Sequence, residues 1–340
     1  MPGVKADDGV RASLGPTVTS TAGSGAAAEA GRVRRLREEL DELDPAILAG
    51  LDDPNALLEE LAYAIRPRIH ERRVPSYGAI VRPAFKSKRW SEGTRINLAH
   101  RRVEDLADAA VRRFADGVTS FVVRGSAGVN DLVVFDRSVG SERDLTIVAE
   151  ASGATVVQRH PSGVVRAAGP FGVLRLLGFD WQLEPPVSRW LDLGVCAVKP
   201  LSHEVLKRML RFAIHDVAAR NVGATFVVTP GGELNGGVEQ RYGRPPDFQI
   251  ARPSDLAPLY HVLGQIDGAA VFDHTGMLTE LGVRLIPSVA AEAEVEALGG
   301  TRHTSALRYS YDDPQATLIV ISEDGPVSVM RAGKRLGHSS

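Results

Sequence analysis

Residues 299–309, GGTRHTSALRY, hold the densest group of side chains that could do chemistry. Two glycines lead into Thr301, Arg302 and His303, and the segment that follows has a helical composition. The first turn of a helix has unpaired N–H groups and a partial positive charge, and glycines let a phosphate approach the backbone closely. Thr301 can cap the helix, Arg302 can grip phosphate oxygens and His303 can carry a proton. The run indicates a phosphate site, although a capped surface helix with a solvated arginine explains the same residues.

A second candidate is the aspartate of QIDGAAVFD, where Asp267 stands before Gly268 and Ala269 at the start of a predicted strand. A carboxylate beside two small residues suits a metal ligand or a general base next to a flat ring pressed on the backbone. Asp-Gly is also a common turn pair, so a plain turn is the alternative interpretation.

A third candidate is IVISEDGP, in which Ser322, Glu323 and Asp324 follow an apolar strand. Acidic oxygens at this position could help to hold a divalent cation. Taken alone, the same residues favour a solvated hairpin turn.

The three runs together resemble the diadenylate cyclase domain, the module that makes cyclic di-AMP. Asp-Gly-Ala, Gly-Thr-Arg-His and a strand ending in Ser-Glu-Asp occur in the family's order, with 302 − 267 = 35 residues from Asp267 to Arg302. The stretches VAARNVGATFVV and LTELGVRLIP are also similar to that family. The resemblance covers roughly residues 200–335.

The resemblance implies a role for each matching residue. Asp267 would hold the catalytic metal, Mg²⁺ or Mn²⁺, near the attacking ribose 3′-hydroxyl, with Glu323 and Asp324 as further metal ligands. Arg302 and His303 would act with Asp267 on ATP, the substrate. The implied nucleotide-binding residues are Gly268, Ala269, Leu285, Gly300, Thr301, Thr304, Ser305 and Ser322.

In such enzymes two domains meet face to face, each with one ATP, and each 3′-hydroxyl attacks the α-phosphate of the other nucleotide. The resemblance therefore implies self-association through the cyclase-like domain. The catalytic work would consist of positioning and charge stabilisation, as in phosphoryl transfer generally.

The chain departs from the family at Thr304, where the motif usually continues with a second arginine. A threonine supplies neither positive charge nor a bidentate fork, and losing such a contact costs about 2–4 kcal/mol of transition-state stabilisation. Arg308, one helical turn on, or Arg284 could replace it. Two hypotheses follow: a diadenylate cyclase regulated by its N-terminal half, and a catalytically weakened nucleotide-binding sensor or effector module. A ligand-free oligomerising scaffold is a third.

The elements that must position these residues indicate an α/β protein with two domains. A Gly-, Ala- and Ser-rich stretch over 1–31 predicts a disordered tail, and helix and strand patterns alternate over 32–175, a smaller α/β domain. That domain is similar to sensor domains found ahead of bacterial cyclase modules. A connector over 176–199 leads to the cyclase-like domain at 200–335, for which a mixed central sheet flanked by helices is expected.

The bulk composition excludes several classes of protein. The 340 residues include 40 Lys and Arg against 42 Asp and Glu, a net charge of −2, so no overall basic field attracts nucleic acid. No apolar run approaches the ~20 residues of a membrane span. A single cysteine, Cys196, excludes an internal disulfide, and its apolar surroundings predict a buried thiol. We expect a cytoplasmic protein with no membrane or nucleic-acid partner.

Overall fold

A computed structural model describes residues 22–69, 71–86, 90, 94, 96–103, 108–125, 130–192, 202–230, 232–239, 242 and 244–339. The chain forms two α/β domains, each built on one mixed sheet. Its α-helices within these ranges are α1 (Ala22–Leu43), α2 (Ala46–Ala49), α3 (Pro54–Ile65), α4 (Asp108–Val111), α5 (Glu142–Ser152), α6 (Val187–Asp192), α7 (His203–Phe212), α8 (Pro253–Leu263), α9 (Val289–Glu294) and α10 (Thr301–Asp312).

The first sheet has eight strands in the order β2-β4-β3-β1-β5-β6-β7-β8, and only the β1–β3 pair is parallel. Its strands are β1 (Tyr77–Val81), β2 (Leu98–Arg102), β3 (Ser120–Arg124), β4 (Asn130–Phe135), β5 (Thr155–Arg159), β6 (Val165–Gly169), β7 (Gly172–Leu177) and β8 (Asp180–Glu184). Helices α1 and α3 cover one face of this sheet and α5 covers the other, so the core lies in two layers.

The second sheet has seven strands in the order β10-β12-β11-β9-β13-β14-β15, with β9 and β11 parallel at its centre. Its strands are β9 (Ala224–Val228), β10 (Gly237–Glu239), β11 (Ala269–Phe272), β12 (Leu278–Ile286), β13 (Thr317–Ile321), β14 (Val327–Arg331) and β15 (Lys334–His338).

The apolar runs of this second sheet follow from burial on both faces. In β9, Phe226 and Val228 pack beneath α7 and α8, whereas Val227 belongs to the cluster beneath α10. The same alternation divides β13, whose five residues are all buried. Because both of their faces are covered, β9 and β13 are almost continuously apolar and show no alternation of apolar and polar residues.

Several predicted elements are confirmed. Asp53 followed by Pro54 is a helix-start signal in the sequence, and α3 does begin at Pro54. The Asp53 carboxylate accepts a hydrogen bond from the Ala56 amide at 3.1 Å. The turn between β11 and β12 falls at His274–Gly276, with Gly276 at φ +83°. The expected two-domain α/β architecture is likewise observed.

The predicted domain limits need correction at three places. Residues 22–31, assigned to the tail, belong to α1, since their alanines favour helix; residues 1–21 lie outside the described ranges. The predicted connector begins too early, because β7 continues to Leu177 and β8 completes the first sheet. The N-terminal domain, which was expected to be the smaller of the two, has the larger sheet, with eight strands against seven.

Two further details concern single segments. The pattern of residues 101–117, RRVEDLADAAVRRFADG, predicts one helix. The described part of this range is instead the end of β2, the short α4 and one 3-10 turn at Arg112–Phe114, and residues 104–107 lie outside the described ranges. Cys196 lies outside the described residues. Within the described ranges, no helix combines the length and the apolar character needed to cross a bilayer.

Candidate functional site

A cavity of about 890 Å³ lies in the second domain, between strands β11 and β12 and the N-terminal end of α10. It brings together the first two motifs found in the sequence, together with Ser322 of the third. The predicted site residues that line it are Asp267, Gly268, Ala269, Leu285, Gly300, Thr301, Arg302, His303, Thr304, Ser305 and Ser322.

Asp267 stands at the entry to β11 and is exposed to the cavity. Among the described residues, nothing forms a hydrogen bond or salt bridge with its carboxylate. The next residue must be glycine, since Gly268 has φ +102° and a Cβ there would lie 2.7 Å from the carbonyl carbon of Gly282. The backbone at Gly268 is therefore packed closely against the backbone at Gly282, which constrains the position of Asp267 just before β11.

The N-terminal end of α10 faces the same cavity without a side-chain cap. The N-cap residue is Gly300, with φ −72° and ψ 157°, and not Thr301 as the sequence suggested. Thr301 is the first helical residue, and the Gly300 carbonyl accepts from the Thr304 amide at 3.1 Å. The first amides of the helix therefore keep their donors for a ligand, which makes this end a suitable anion site.

Arg302 projects from this turn and pairs with Glu323 at 3.7 Å. Gly223, which precedes β9, makes the arrangement possible, because a Cβ there would lie 2.3 Å from the Arg302 Nη1 and 2.8 Å from the Glu323 Cγ. The guanidinium thus lies directly over a glycine. Gly223 lies in the family-like stretch VAARNVGATFVV but was not among the predicted site residues, and its local signal is a glycine immediately before a buried strand.

His303 lies half-buried beside Arg302. Burial lowers the pKa of His303, and the nearby charges of His338, Arg302 and Arg335 lower it further. The imidazole is consequently neutral at neutral pH and can accept or donate a hydrogen bond. A bound polyphosphate would counter the surrounding positive charge and favour the protonated form.

Two hydroxyls of the motif, those of Thr304 and Ser305, are already engaged with the backbone. The Thr304 Oγ1 accepts from the Leu298 amide at 3.1 Å and donates to the Leu298 carbonyl at 3.3 Å. The Ser305 Oγ donates to the Thr301 carbonyl. Thr304 therefore holds the glycine-rich loop in place, and its hydroxyl is not turned toward the cavity as a spare donor.

Two further arginines line the cavity. The Arg308 Nε donates to the Val295 carbonyl at 3.2 Å, and within the described ranges no carboxylate pairs with this guanidinium. Arg284 is 3.5 Å from Glu239, and both side chains of that pair are exposed. Of the two candidates to replace the missing arginine, Arg308 is the one whose charge is not matched by a nearby carboxylate.

The third motif divides between two places. Ser322 lines the cavity, whereas Glu323 is exposed beside Arg302 and Asp324 lines a different cavity, between the two domains. Among the described residues, no group of three or more histidine, cysteine or acidic side chains is arranged to hold a metal ion. Any metal would therefore depend on few protein ligands and on the phosphates of a bound nucleotide, as is usual for Mg²⁺.

The cavity also includes residues that the sequence analysis did not identify. Thr225 of β9 lies at its floor and is only 6% exposed, and Glu292 of α9 adds a second carboxylate to the wall. Thr225 belongs to the family-like stretch VAARNVGATFVV but was not predicted as a site residue, and Glu292 stands in no motif; both reach the cavity through the folding of distant strands and helices.

Comparisons with known families divide the chain as the structure does. Residues 34–184 match the family described as "Probable sensor domain DACNK". Residues 211–335 match the family described as "DisA bacterial checkpoint controller nucleotide-binding". The site residues discussed above all fall within the second match.

Comparisons with individual proteins add little. A search of curated proteins gives no match. Among solved structures, the chain is similar to a hypothetical membrane spanning protein from Bacillus cereus, with 20% identity and a TM-score of 0.34 over 45% of this chain and 70% of that one. A TM-score this low carries no argument about fold or function.

Proposed function

We propose that this chain, which joins a DACNK sensor domain to a nucleotide-binding domain of the DisA type, is a diadenylate cyclase. It would condense two ATP molecules to cyclic di-AMP and release pyrophosphate, under the control of the N-terminal domain. The observation that supports this proposal best is that the unpaired Asp267 carboxylate and the uncapped N-terminal end of α10 line one cavity.

The triphosphate would bind at the N-terminal end of α10. The amides of Thr301, Arg302 and His303 have no helical acceptor, so they can donate to phosphate oxygens, and the Arg302 guanidinium adds charge. The adenine and ribose would lie over the backbone at Gly268 and Ala269 and against Leu285. The remaining proposed contacts come from Gly300 and Ser322, and from atoms of Thr304 and Ser305 other than their hydroxyl protons, which are donated to the Leu298 and Thr301 carbonyls.

Asp267 is the residue of this chain best placed to hold a divalent cation, because its carboxylate has no other partner among the described residues. Mg²⁺ or Mn²⁺, when bound, would neutralise phosphate charge and polarise the reacting phosphoryl group. Glu323 and Asp324 were expected to share this role, but the structure gives them other neighbours. We therefore propose Asp267 as the principal protein ligand.

A single site cannot close the cyclic product, so the proposal requires two copies with their cavities facing each other. Asp267, Thr301 and Arg302 are exposed in the single chain, and a second copy would cover them. Each ribose 3′-hydroxyl would then attack the α-phosphate held in the partner's site, and holding the two in line would supply most of the acceleration.

The test is to incubate the purified chain with ATP and Mg²⁺ or Mn²⁺ and to measure cyclic di-AMP. We expect product from the natural chain and almost none from Asp267→Asn, because the amide cannot neutralise a metal. Asp247→Asn, which changes an exposed carboxylate outside the cavity, is the matched control and should leave the rate unchanged. Product that persists in Asp267→Asn would contradict the assignment of Asp267.

A second candidate function is a nucleotide-binding module that senses ATP without turning it over. The observation that favours it is the Thr304 hydroxyl, which is committed to Leu298 and leaves no cation at this position. ATP binding without any cyclic di-AMP, under conditions that allow dimers to form, would favour this function over the first.

Thr304→Arg separates the two candidates. If the missing charge limits the reaction, the substitution restores a phosphate contact and the rate rises by about 10–100-fold. It also removes the two hydrogen bonds to Leu298, which costs about 1–2 kcal/mol of unfolding free energy. Thr304→Val loses the same bonds without adding charge and is the matched control. An unchanged rate in Thr304→Arg would show that Arg308 or another group already supplies the charge.

A further inference from the structure

A second cavity, of about 460 Å³, lies between the two domains. The N-terminal domain contributes Arg166 of β6 and Arg175 of β7, together with His160 after β5. The C-terminal domain contributes Arg220, which ends a 3-10 turn before β9, and Asp324 in the β13–β14 turn. Nothing in the proposed cyclase reaction uses this cavity.

Positive charge exceeds negative charge along its wall. Three arginines, Arg166, Arg175 and Arg220, face two carboxylates, those of Glu142 and Asp324. Glu142 is already occupied, since it accepts from the Arg175 guanidinium at 2.8 and 2.5 Å and lies 2.9 Å from the His215 Nδ1. The Glu142 carboxylate therefore bonds to Arg175 and to His215, and both of its oxygens are already occupied.

Among the described residues, the other two arginines donate no hydrogen bond to a carboxylate, although Arg166 still forms a longer ion pair. The Arg166 Nη1 is 3.7 Å from Glu142, and its remaining donors bond to Gln158 and the Gly140 carbonyl. Arg220 lies over the ring of Tyr260 at 4.5 Å, and the described residues place no carboxylate at salt-bridge distance from it. Burial lowers the pKa of Arg166 and the charges of Arg175 and Arg220 lower it further, against the opposing effect of Glu142.

We propose that this interdomain cavity binds a small aliphatic anion, a phosphate ester or carboxylate that carries hydroxyl groups. Guanidinium groups are the side chains best suited to these oxyanions. Side chains of Ser138, Gln182 and Asn221 on the wall can bond the rest of such a molecule, whereas the hydroxyls of Ser141 and Ser162 already bond to Asp144 and His160. The wall offers no phenylalanine, tyrosine or tryptophan ring among the described residues, so it lacks the large aromatic side chains on which nucleobases commonly stack.

The turn between β13 and β14 contributes residues to both cavities. The turn that carries Asp324 begins at Ser322, which lines the nucleotide cavity, and continues through Glu323, which pairs with Arg302. An anion held between Arg166 and Arg220 would contact this turn from the opposite side. The expected effect on nucleotide affinity rests on the proposed function, whereas binding of the anion does not.

Calorimetric titration of the full chain with glycerol 3-phosphate, citrate and AMP, at constant ionic strength, tests the proposal. We expect glycerol 3-phosphate or citrate to bind, with affinity reduced about tenfold or more in Arg220→Gln and raised several-fold in Asp324→Asn, which removes a repelling charge. Arg244→Gln changes an exposed arginine outside both cavities and should have no effect.

Arg302→Gln distinguishes the two cavities, because anions that bind in the nucleotide cavity should respond to this change and not to Arg220→Gln. If Arg302→Gln abolished all anion binding and Arg220→Gln left it unchanged, the anion would bind in the nucleotide cavity. That outcome would overturn the interdomain proposal without contradicting the proposed nucleotide site. Absence of binding by both glycerol 3-phosphate and citrate would overturn it as well. Equal binding of AMP through Arg220 would contradict the aliphatic class of ligand.

Discussion

Arg302 owes its position to a residue far away in the sequence. Its guanidinium occupies the space over Gly223 that a side chain would otherwise fill, and Glu323 lies on the other side. Arg302 could be predicted as a phosphate ligand because its motif is local. Gly223 could not, because its role depends on the packing of the segment before β9 against the first turn of α10.

Gly223→Ala tests this dependence. The new Cβ would displace the tip of Arg302, a flexible group, so the unfolding free energy should change by no more than about 1 kcal/mol. ATP affinity should fall about tenfold, because the guanidinium leaves its position. The measurements are urea unfolding and calorimetric titration with ATP.

Gly264→Ala is the matched control, since its Cβ would meet only carbonyl oxygens at 3.7 and 4.0 Å. It should alter neither unfolding nor ATP binding. If Gly223→Ala bound ATP as tightly as the natural chain does, Arg302 would not depend on this glycine.

At the level of elements, the central strands of the second sheet could be predicted from the sequence, whereas the π-helical segment in the helix before β9 could not. The apolar runs of β9, β11 and β13 predict buried strands, and all three are observed. The pattern over 203–223 predicts one long helix, and the segment is helical from His203 to Arg220. Its hydrogen bonding changes along the way, from α-helix up to Phe212 to a π-helical segment at Ala213–Val217 and a 3-10 turn at Ala218–Arg220. The π-helical segment buries His215 and Asp216, which pair with Glu142 and Arg143 of the other domain. No local pattern encodes this contact.

The uncapped end of α10 is the element on which the phosphate site depends. Gly300 has extended backbone angles, φ −72° and ψ 157°, and a Cβ there would meet nothing within 4 Å. In Gly300→Asp the carboxylate would accept from the amides of Arg302 and His303, as an N-cap does, and should stabilise the fold by up to about 1 kcal/mol. The same carboxylate would occupy the phosphate position, so ATP affinity should fall more than about tenfold.

Gly300→Ser provides the comparison, because it caps the helix without adding charge. Thermal unfolding and ATP titration of the three chains should show stability and nucleotide affinity moving in opposite directions, most strongly in Gly300→Asp. ATP binding that is unaffected by the aspartate would place the triphosphate elsewhere in the cavity.

At the scale of the whole molecule, charged side chains join the two domains. Glu142 and Arg143 at the start of α5 reach His215 and Asp216, and Arg211 reaches Glu150 at 2.6 Å. The pKa of Glu142 is lowered by Arg175 and His215 in spite of its burial, so this carboxylate is charged in the folded chain. The contacts are directional, and they join the N-terminal domain to the segment that leads into β9.

A double-mutant cycle on Arg143 and Asp216 measures the coupling free energy of this interdomain ion pair. The pair is 2.9 Å apart, and its side chains are only 17% and 12% exposed. Arg143→Met and Asp216→Asn should each destabilise the chain by about 1–3 kcal/mol, because each leaves a poorly solvated charge unpaired. The double variant should lose less than the sum, with a coupling energy of about 1 kcal/mol or more.

The exposed pair Arg35–Glu39, with side chains 82% and 39% exposed, gives the reference cycle, for which the coupling energy should stay below about 0.5 kcal/mol. Urea unfolding supplies all of these values. The same variants should weaken any effect of an interdomain anion on ATP affinity, since the anion and the Arg143–Asp216 pair act on the same junction. A coupling energy no larger than that of Arg35–Glu39 would mean that apolar packing, and not this ion pair, holds the domains in register.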